Sequence, residues 1–206
     1  KTQNISISGN VEGEGRGGSL KDEGTVKQCL FNSEFKEYII DTKARKFGDM
    51  IVKDYNNTDF HVVNIKTSKM SSSDNCFSKA GVVHALTDLP YNSNYLGPMN
   101  LKQMVDRINT FKADNKYKDY YFLCIDKNNS ANVFCRGSKT INNWKVNINP
   151  SNILQIDWKN EECTVPIERT WDEAYDVLVN QAKKSTMKFM SNLPQEWLND
   201  FKSSNL

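Results

Sequence analysis

The run YYFLCID (120–126) is apolar at nearly every position, and a strand that is apolar on both faces needs cover on both. It follows NLKQMVDRINTFKA (100–113), where Leu101, Met104, Val105 and Ile108 share one helical face. An amphipathic helix leading into a central strand points to an α/β fold. EFKEYIID (34–41), DMIVKD (49–54) and FHVVNIK (60–66) carry the β-branched and aromatic residues of strands, and YNNTD between the last two predicts a hairpin. SKMSSSDN reads as a polar loop and CFSKAGVVHALTDL as a helix; NVFCR, WKVNI and NILQIDW read as short strands. The longest helix is RTWDEAYDVLVNQAKKSTMKFM, opened by the capping box Thr170-x-x-Glu173. Residues 1–18 are Gly-rich and polar, a lead-in to a helix from Ser19. No internal repeat is visible. The expectation is one α/β domain over 1–206, a central mixed β-sheet flanked by helices.

Charge and cysteine usage narrow the function classes. Lys+Arg 27 against Asp+Glu 25 leaves +2, so an anionic partner must be met by a local patch rather than a global field. The five cysteines are odd in number and without a CxxC pair, which fits reduced thiols in the cytoplasm better than a disulfide frame or a zinc site. NNT (56–58) and NNS (128–130) match the glycosylation sequon, but matches by chance are expected in a chain this rich in Asn. No membrane span and no signal peptide are expected. His61 and His84 have no ligand-type residues at metal spacing and read as structural, and no Gly-rich phosphate loop is present.

The polar residues on the early strands stand out. Asp49 precedes MIV, while Asn64 and Lys66, two apart, project from one face of the next strand. Paired as a hairpin, these strands bring together a carboxylate, an amide oxygen and an ammonium. Mg²⁺ takes one or two protein oxygens plus phosphate and water, which Asp49 and Asn64 can supply, with Lys66 beside them for a phosphate oxygen or an attacking water. The plainer alternative is the solvent face of an edge hairpin. Glu23 is either a supporting acid at this site or, with Asp22, a complement to a helix N-terminus. Lys69 with the hydroxyls and Asn75 of KTSKMSSSDN, and Arg136 and Lys139 of CRGSKTINN, offer donors to phosphates and base edges.

GDMIV…FHVVNIKTS resembles the signature of the PD-(D/E)xK nucleases, an acid on one strand and an acid-x-Lys triplet on the next. SKMSSSDNCFSKA, with Asn75 and Ser78, and ERTWDEAYDVLVNQAKKSTMKF, with Arg169, Thr170 and Trp171, are similar in order and spacing to segments of the HincII- and HpaI-type restriction endonucleases. The matching stretches cover roughly 47–80 and 153–190. The resemblance implies a restriction-endonuclease-like core and a Type II enzyme of the bacterial cytoplasm. Such an enzyme is a homodimer that uses Mg²⁺ to cleave double-stranded DNA at a short palindrome. It also implies metal ligation by Asp49 and Asn64, catalysis by these two with Lys66, and DNA contacts from Lys69, Asn75, Ser78, Arg136, Lys139 and Arg169. Two positions depart from the pattern: Gly48 stands where the signature has Pro, and Asn64 where an acid is usual. Members with Asn-x-Lys exist, so Asn64 fits an active enzyme, and it also fits a substitution that traps a DNA complex. A repair or junction-resolving nuclease of the same core, and a catalytically inactive DNA-binding module, are the alternatives.

Overall fold

The computed structural model describes residues 16–42, 47–54, 60–71, 73–115, 118–149 and 151–198, apart from the side chains of 16–20, 75 and 76. The chain opens with α1 (Arg16–Phe31), followed by β1 (Ile39–Asp41), β2 (Met50–Lys53) and β3 (Phe60–Ser68). Then come β4 (Ser73–Phe77), α2 (Lys79–Leu86), α3 (Leu101–Thr110), β5 (Tyr120–Asp126) and β6 (Val133–Gly137). The last elements are β7 (Trp144–Val146), β8 (Leu154–Asp157), the single turn α4 (Trp158–Glu161) and α5 (Trp171–Ser191). Among the described residues, five strands form a mixed sheet in the order β1-β2-β3-β5-β6, parallel between β3 and β5 and antiparallel at the other pairings. A second sheet is ordered β4-β8-β7.

β5 shows why the larger sheet is covered on both faces. Tyr120, Phe122 and Cys124 pack with residues of α2, α3, α5 and the second sheet, whereas Tyr121, Leu123 and Ile125 pack with Met50, Val63, Ile65 and the α1 residues Val26 and Leu30. The sheet is therefore a middle layer between α1 and the other helices. Val62 and Ile65 are 1% and 0% exposed, one on each side of β3, and burying each contributes about 1.5–3 kcal/mol. The capping box of α5 is formed, Thr170 accepting from Glu173 N while the Glu173 carboxylate takes Thr170 N. α3 begins on a second such box, Asn100 with Gln103.

Several elements differ from the sequence expectation. α1 starts at Arg16, not Ser19, through Gly17 and Gly18, which are poor helix formers. Packing of Val26 and Leu30 on the sheet holds the helix where propensity does not. Part of the expected loop SKMSSSDN is β4, because pairing with β8 supplies ladder partners to a polar segment. Only Ile39–Asp41 of EFKEYIID is strand, after a 3₁₀ turn over Lys36–Tyr38. β2 and β3 pair antiparallel as expected, and the turn YNNTD (55–59) lies outside the described residues. Chain reversal after β3 uses Met70 at φ 53°, a left-handed conformation rare outside Gly.

Candidate active site

β2 pairs with β3 only from Met50 opposite Val63 to Lys53 opposite Phe60. Among the described residues the β2 side of β3 has no partner strand from Asn64 onward, and Asp49 stands at the notch this leaves. Its N–H donates to Val63 O at 2.9 Å, and its carboxylate Oδ2 accepts from Ile65 N at 2.7 Å, so Asp49 brackets Asn64. One carboxylate oxygen thus takes the role of a missing ladder acceptor, which fixes the side chain and leaves Oδ1 for a ligand. The close approach requires Gly48: a Cβ there would lie 2.2 Å from Val62 Cγ1. Glycine in place of the signature's proline is therefore a packing requirement of this chain.

The Asn64 amide oxygen is buried and has no hydrogen-bond partner. An unmet acceptor in such a place costs about 1–3 kcal/mol. Lys66, on the same face of β3, reaches Glu23 of α1 at 3.7 Å, with both side chains about one-fifth exposed. Burial raises the pKa of Glu23; Lys66 opposes the shift, Asp49 adds to it, Lys127 opposes it, and Asp74 adds to it. Glu23 therefore lies among charges from four other segments. Asp22 meets Lys127 at 2.9 Å beside it. Four carboxylates (Asp22, Glu23, Asp49, Asp74) against two ammoniums (Lys66, Lys127) give this corner a formal charge of −2. Such a field attracts a cation and repels a bare phosphate.

The donors fit an ion of the Mg²⁺ type: one carboxylate oxygen of Asp49 and the orphaned amide oxygen of Asn64, the remaining positions left to water and phosphate. Among the described residues no group of three or more His, Cys, Asp and Glu is placed to hold a metal.

Asp22 and Glu23 do not complement a helix N-terminus, because α1 begins at Arg16 and puts them in its second turn. The expected DNA-facing residues are more dispersed. Lys69 is exposed, and Asn75 lies in β4 opposite Gln155 rather than in a loop; its side chain is outside the described residues. Ser78 caps α2, its hydroxyl accepting from Gly81 N at 3.2 Å. Lys139 is buried, donating its ammonium to Asn115 O at 3.0 Å. Arg169 gives Nη1 to Lys139 O and Ile141 O and Nη2 to Asn142 Oδ1, a clamp on backbone rather than a free guanidinium. Arg136 donates to Cys135 O and Thr164 O, with its Nε 3.9 Å from the buried Glu161. His84 is fully buried in the core and its pKa is pushed down to about 3 by that burial.

Motif reasoning alone misses two residues of this corner. Lys127 follows the carboxyl end of β5, the strand parallel to β3, and the carboxyl ends of parallel strands are where α/β sites gather. That rule finds it. Asp74 becomes visible only once β4 is known to be a strand.

No protein-family model matches the chain, and no curated protein matches it.

Proposed function

We propose that the protein is a Mg²⁺-dependent Type II restriction endonuclease that hydrolyses both strands of duplex DNA at a short palindrome, acting as a homodimer in the bacterial cytoplasm. The observation that carries the reading is the notch itself: a buried, partnerless Asn64 oxygen, bracketed by Asp49, at a corner of charge −2 where the Lys66 ammonium lies 3.7 Å from Glu23. A buried acceptor without a donor is met well by a cation. The fold class also supports it, since a central mixed β-sheet flanked by helices is what the nuclease resemblance implies.

Asp49 and Asn64 would hold the ion, which when bound supplies a Lewis acid to the scissile phosphate and lowers the pKa of a coordinated water. Asp49 keeps its rotamer through Ile65 N. Lys66 donates to a non-bridging phosphate oxygen and orients the water, and Glu23 holds the ammonium until substrate arrives. Lys69 and the strand of Asn75 follow directly from β3 and provide the DNA-facing donors. A two-fold dimer matches the two-fold of a palindrome. The described cysteines Cys29, Cys124, Cys135 and Cys163 are free thiols, in keeping with a reducing compartment, and among the described residues no helix is long and apolar enough to cross a membrane.

The test is to incubate a plasmid of known sequence with the protein and Mg²⁺ and map the ends. Discrete fragments ending at one palindrome are expected. Cutting confined to branched or damaged DNA would point to a repair or junction-resolving nuclease. Binding without cutting at any Mg²⁺ concentration would point to an inactive DNA-binding module.

A further inference from the structure

Asp22 occupies a position where α1 calls for a hydrophobe. With Val26 and Leu30 it forms the stripe that faces the sheet, and it is 1% exposed. Its carboxylate meets the Lys127 ammonium at 2.9 Å, and the lysine side chain is itself 13% exposed. A buried ion pair is a poor source of stability, since an apolar pair of similar volume does as well or better. What it supplies is a fixed geometry. Lys127 is tied at its other end too: its backbone N–H donates to Ser68 O at 2.8 Å, at the end of β3 and two residues after Lys66. A single residue therefore joins the strand that carries Lys66 to the helix residue next to Glu23.

We infer that Lys127 and Asp22 are a positioning pair that sets α1 along β3 so that Glu23 meets Lys66 in the cleavage site. The inference rests on the proposed nuclease reading for its functional meaning. Without the pair, α1 keeps its apolar contacts through Val26 and Leu30 and the more exposed Lys27–Asp41 pair near its other end, but loses the buried ion pair adjacent to Glu23. Glu23 then leaves Lys66, and the corner that holds Asp49 gains an uncompensated ammonium.

Sign separates this from a simple charge effect. Removing the Lys127 cation takes the corner from −2 to −3, which by Coulomb attraction tightens a divalent ion. Mispositioning does the reverse. Lys127→Met, Lys127→Arg, the charge-balanced double variant Asp22→Asn with Lys127→Met, and Lys21→Met on the exposed side of α1 make the set. Urea unfolding with and without Mg²⁺ and plasmid cleavage are the assays. Lys127→Met and the double variant should weaken the Mg²⁺ response and lower kcat by about 10–100-fold, with KM for DNA little changed. Lys127→Arg should recover most of both, and Lys21→Met should match wild type. Should Lys127→Met fail to fold, the double variant, which buries no lone charge, carries the same test. Tighter Mg²⁺ binding or unchanged kcat in a folded variant overturns the inference. If wild type itself neither responds to Mg²⁺ nor cuts DNA, the nuclease reading fails, and amide hydrogen exchange tests the pair: faster exchange over 22–26 in the double variant with α5 unchanged supports positioning, and equal protection overturns it.

Discussion

Asn64→Ala tests the metal reading through stability, independently of cleavage. In wild type the buried Asn64 oxygen has no donor, a penalty of about 1–3 kcal/mol carried by the metal-free protein. Alanine removes that oxygen, and with it a small, partly exposed side chain whose apolar content is slight. The two effects nearly offset, so the variant should unfold within about 1 kcal/mol of wild type in chelator, or be more stable. Mg²⁺ then separates the two proteins. An ion bound only by the native state adds RT ln(1 + [Mg²⁺]/Kd), about 2.7 kcal/mol at a hundred times Kd. Wild type should show that rise in urea midpoint at constant slope, and Asn64→Ala should not. The assay is a pair of urea titrations in chelator and in saturating Mg²⁺ for each protein. A variant that loses more than about 2 kcal/mol in chelator and keeps the full Mg²⁺ response would refute the reasoning, because Asn64 would then be a satisfied structural residue.

Four further outcomes are expected. Lys66→Ala should retain specific DNA binding in a gel-shift assay while cleavage falls about 10²–10³-fold; wild-type turnover would remove Lys66 from the chemistry. Gly48→Ala places a Cβ 2.2 Å from Val62 Cγ1, so it should cost about 1–3 kcal/mol in urea unfolding and weaken the Mg²⁺ response by moving Asp49; an unchanged response shows that the notch tolerates the shift. His84 is held neutral in the core with its pKa lowered to about 3, so its contribution is complete above the unfolded value of 6.5 and is lost as pH falls below it. His84→Phe should gain on wild type by about 3.5 kcal/mol between pH 7 and pH 4, from 2.5 pH units below 6.5 at about 1.4 kcal/mol each, whereas a constant offset in urea midpoints contradicts a buried neutral ring. Arg169→Ala should lower stability by about 1–3 kcal/mol yet leave the salt dependence of DNA binding unchanged; a shallower salt slope would return Arg169 to the phosphates.

The elements were legible where one physical signal dominated. YYFLCID reads as an interior strand because both faces are apolar, and each face does pack on its own cluster. Thr170 and Glu173 announce the start of α5 through side-chain chemistry local to one turn. The approach of Asp49 to Asn64 is legible because the hairpin pairing sets them side by side, and the two-residue period puts Lys66 on the Asn64 face of the same strand. β4 is not legible, since its polar residues become strand only through β8, some eighty residues later in the chain. Ser78 has a local signal, a Ser three residues before Gly81 at the start of a helical run, that competes with its reading as a DNA contact.

The basic residues Arg136, Lys139 and Arg169 read in the sequence as DNA contacts, and the reason they turn inward lies in the segment between β6 and β7. Residues 138–143 make a 3₁₀ turn and irregular chain, so their backbone groups have no ladder to enter. Buried peptide groups must still be paired. Arg169 takes the carbonyls of Lys139 and Ile141, the carboxylate of Glu161 takes Asn142 N and Asn143 N, and Asp119 takes Lys139 N. The carboxylates then need cations nearby, which Arg136 provides at Glu161, while burial pushes the pKa of Asp119 up to about 6. A charged residue in this chain therefore follows the nearest unpaired backbone before it follows a ligand. At the notch of β3 the Asn64 oxygen is buried without a donor, as is one oxygen of Glu161; the difference is in the neighbours, since Glu161 has the Arg136 guanidinium at 3.9 Å whereas Asn64 is bracketed by the Asp49 carboxylate, a second oxygen donor.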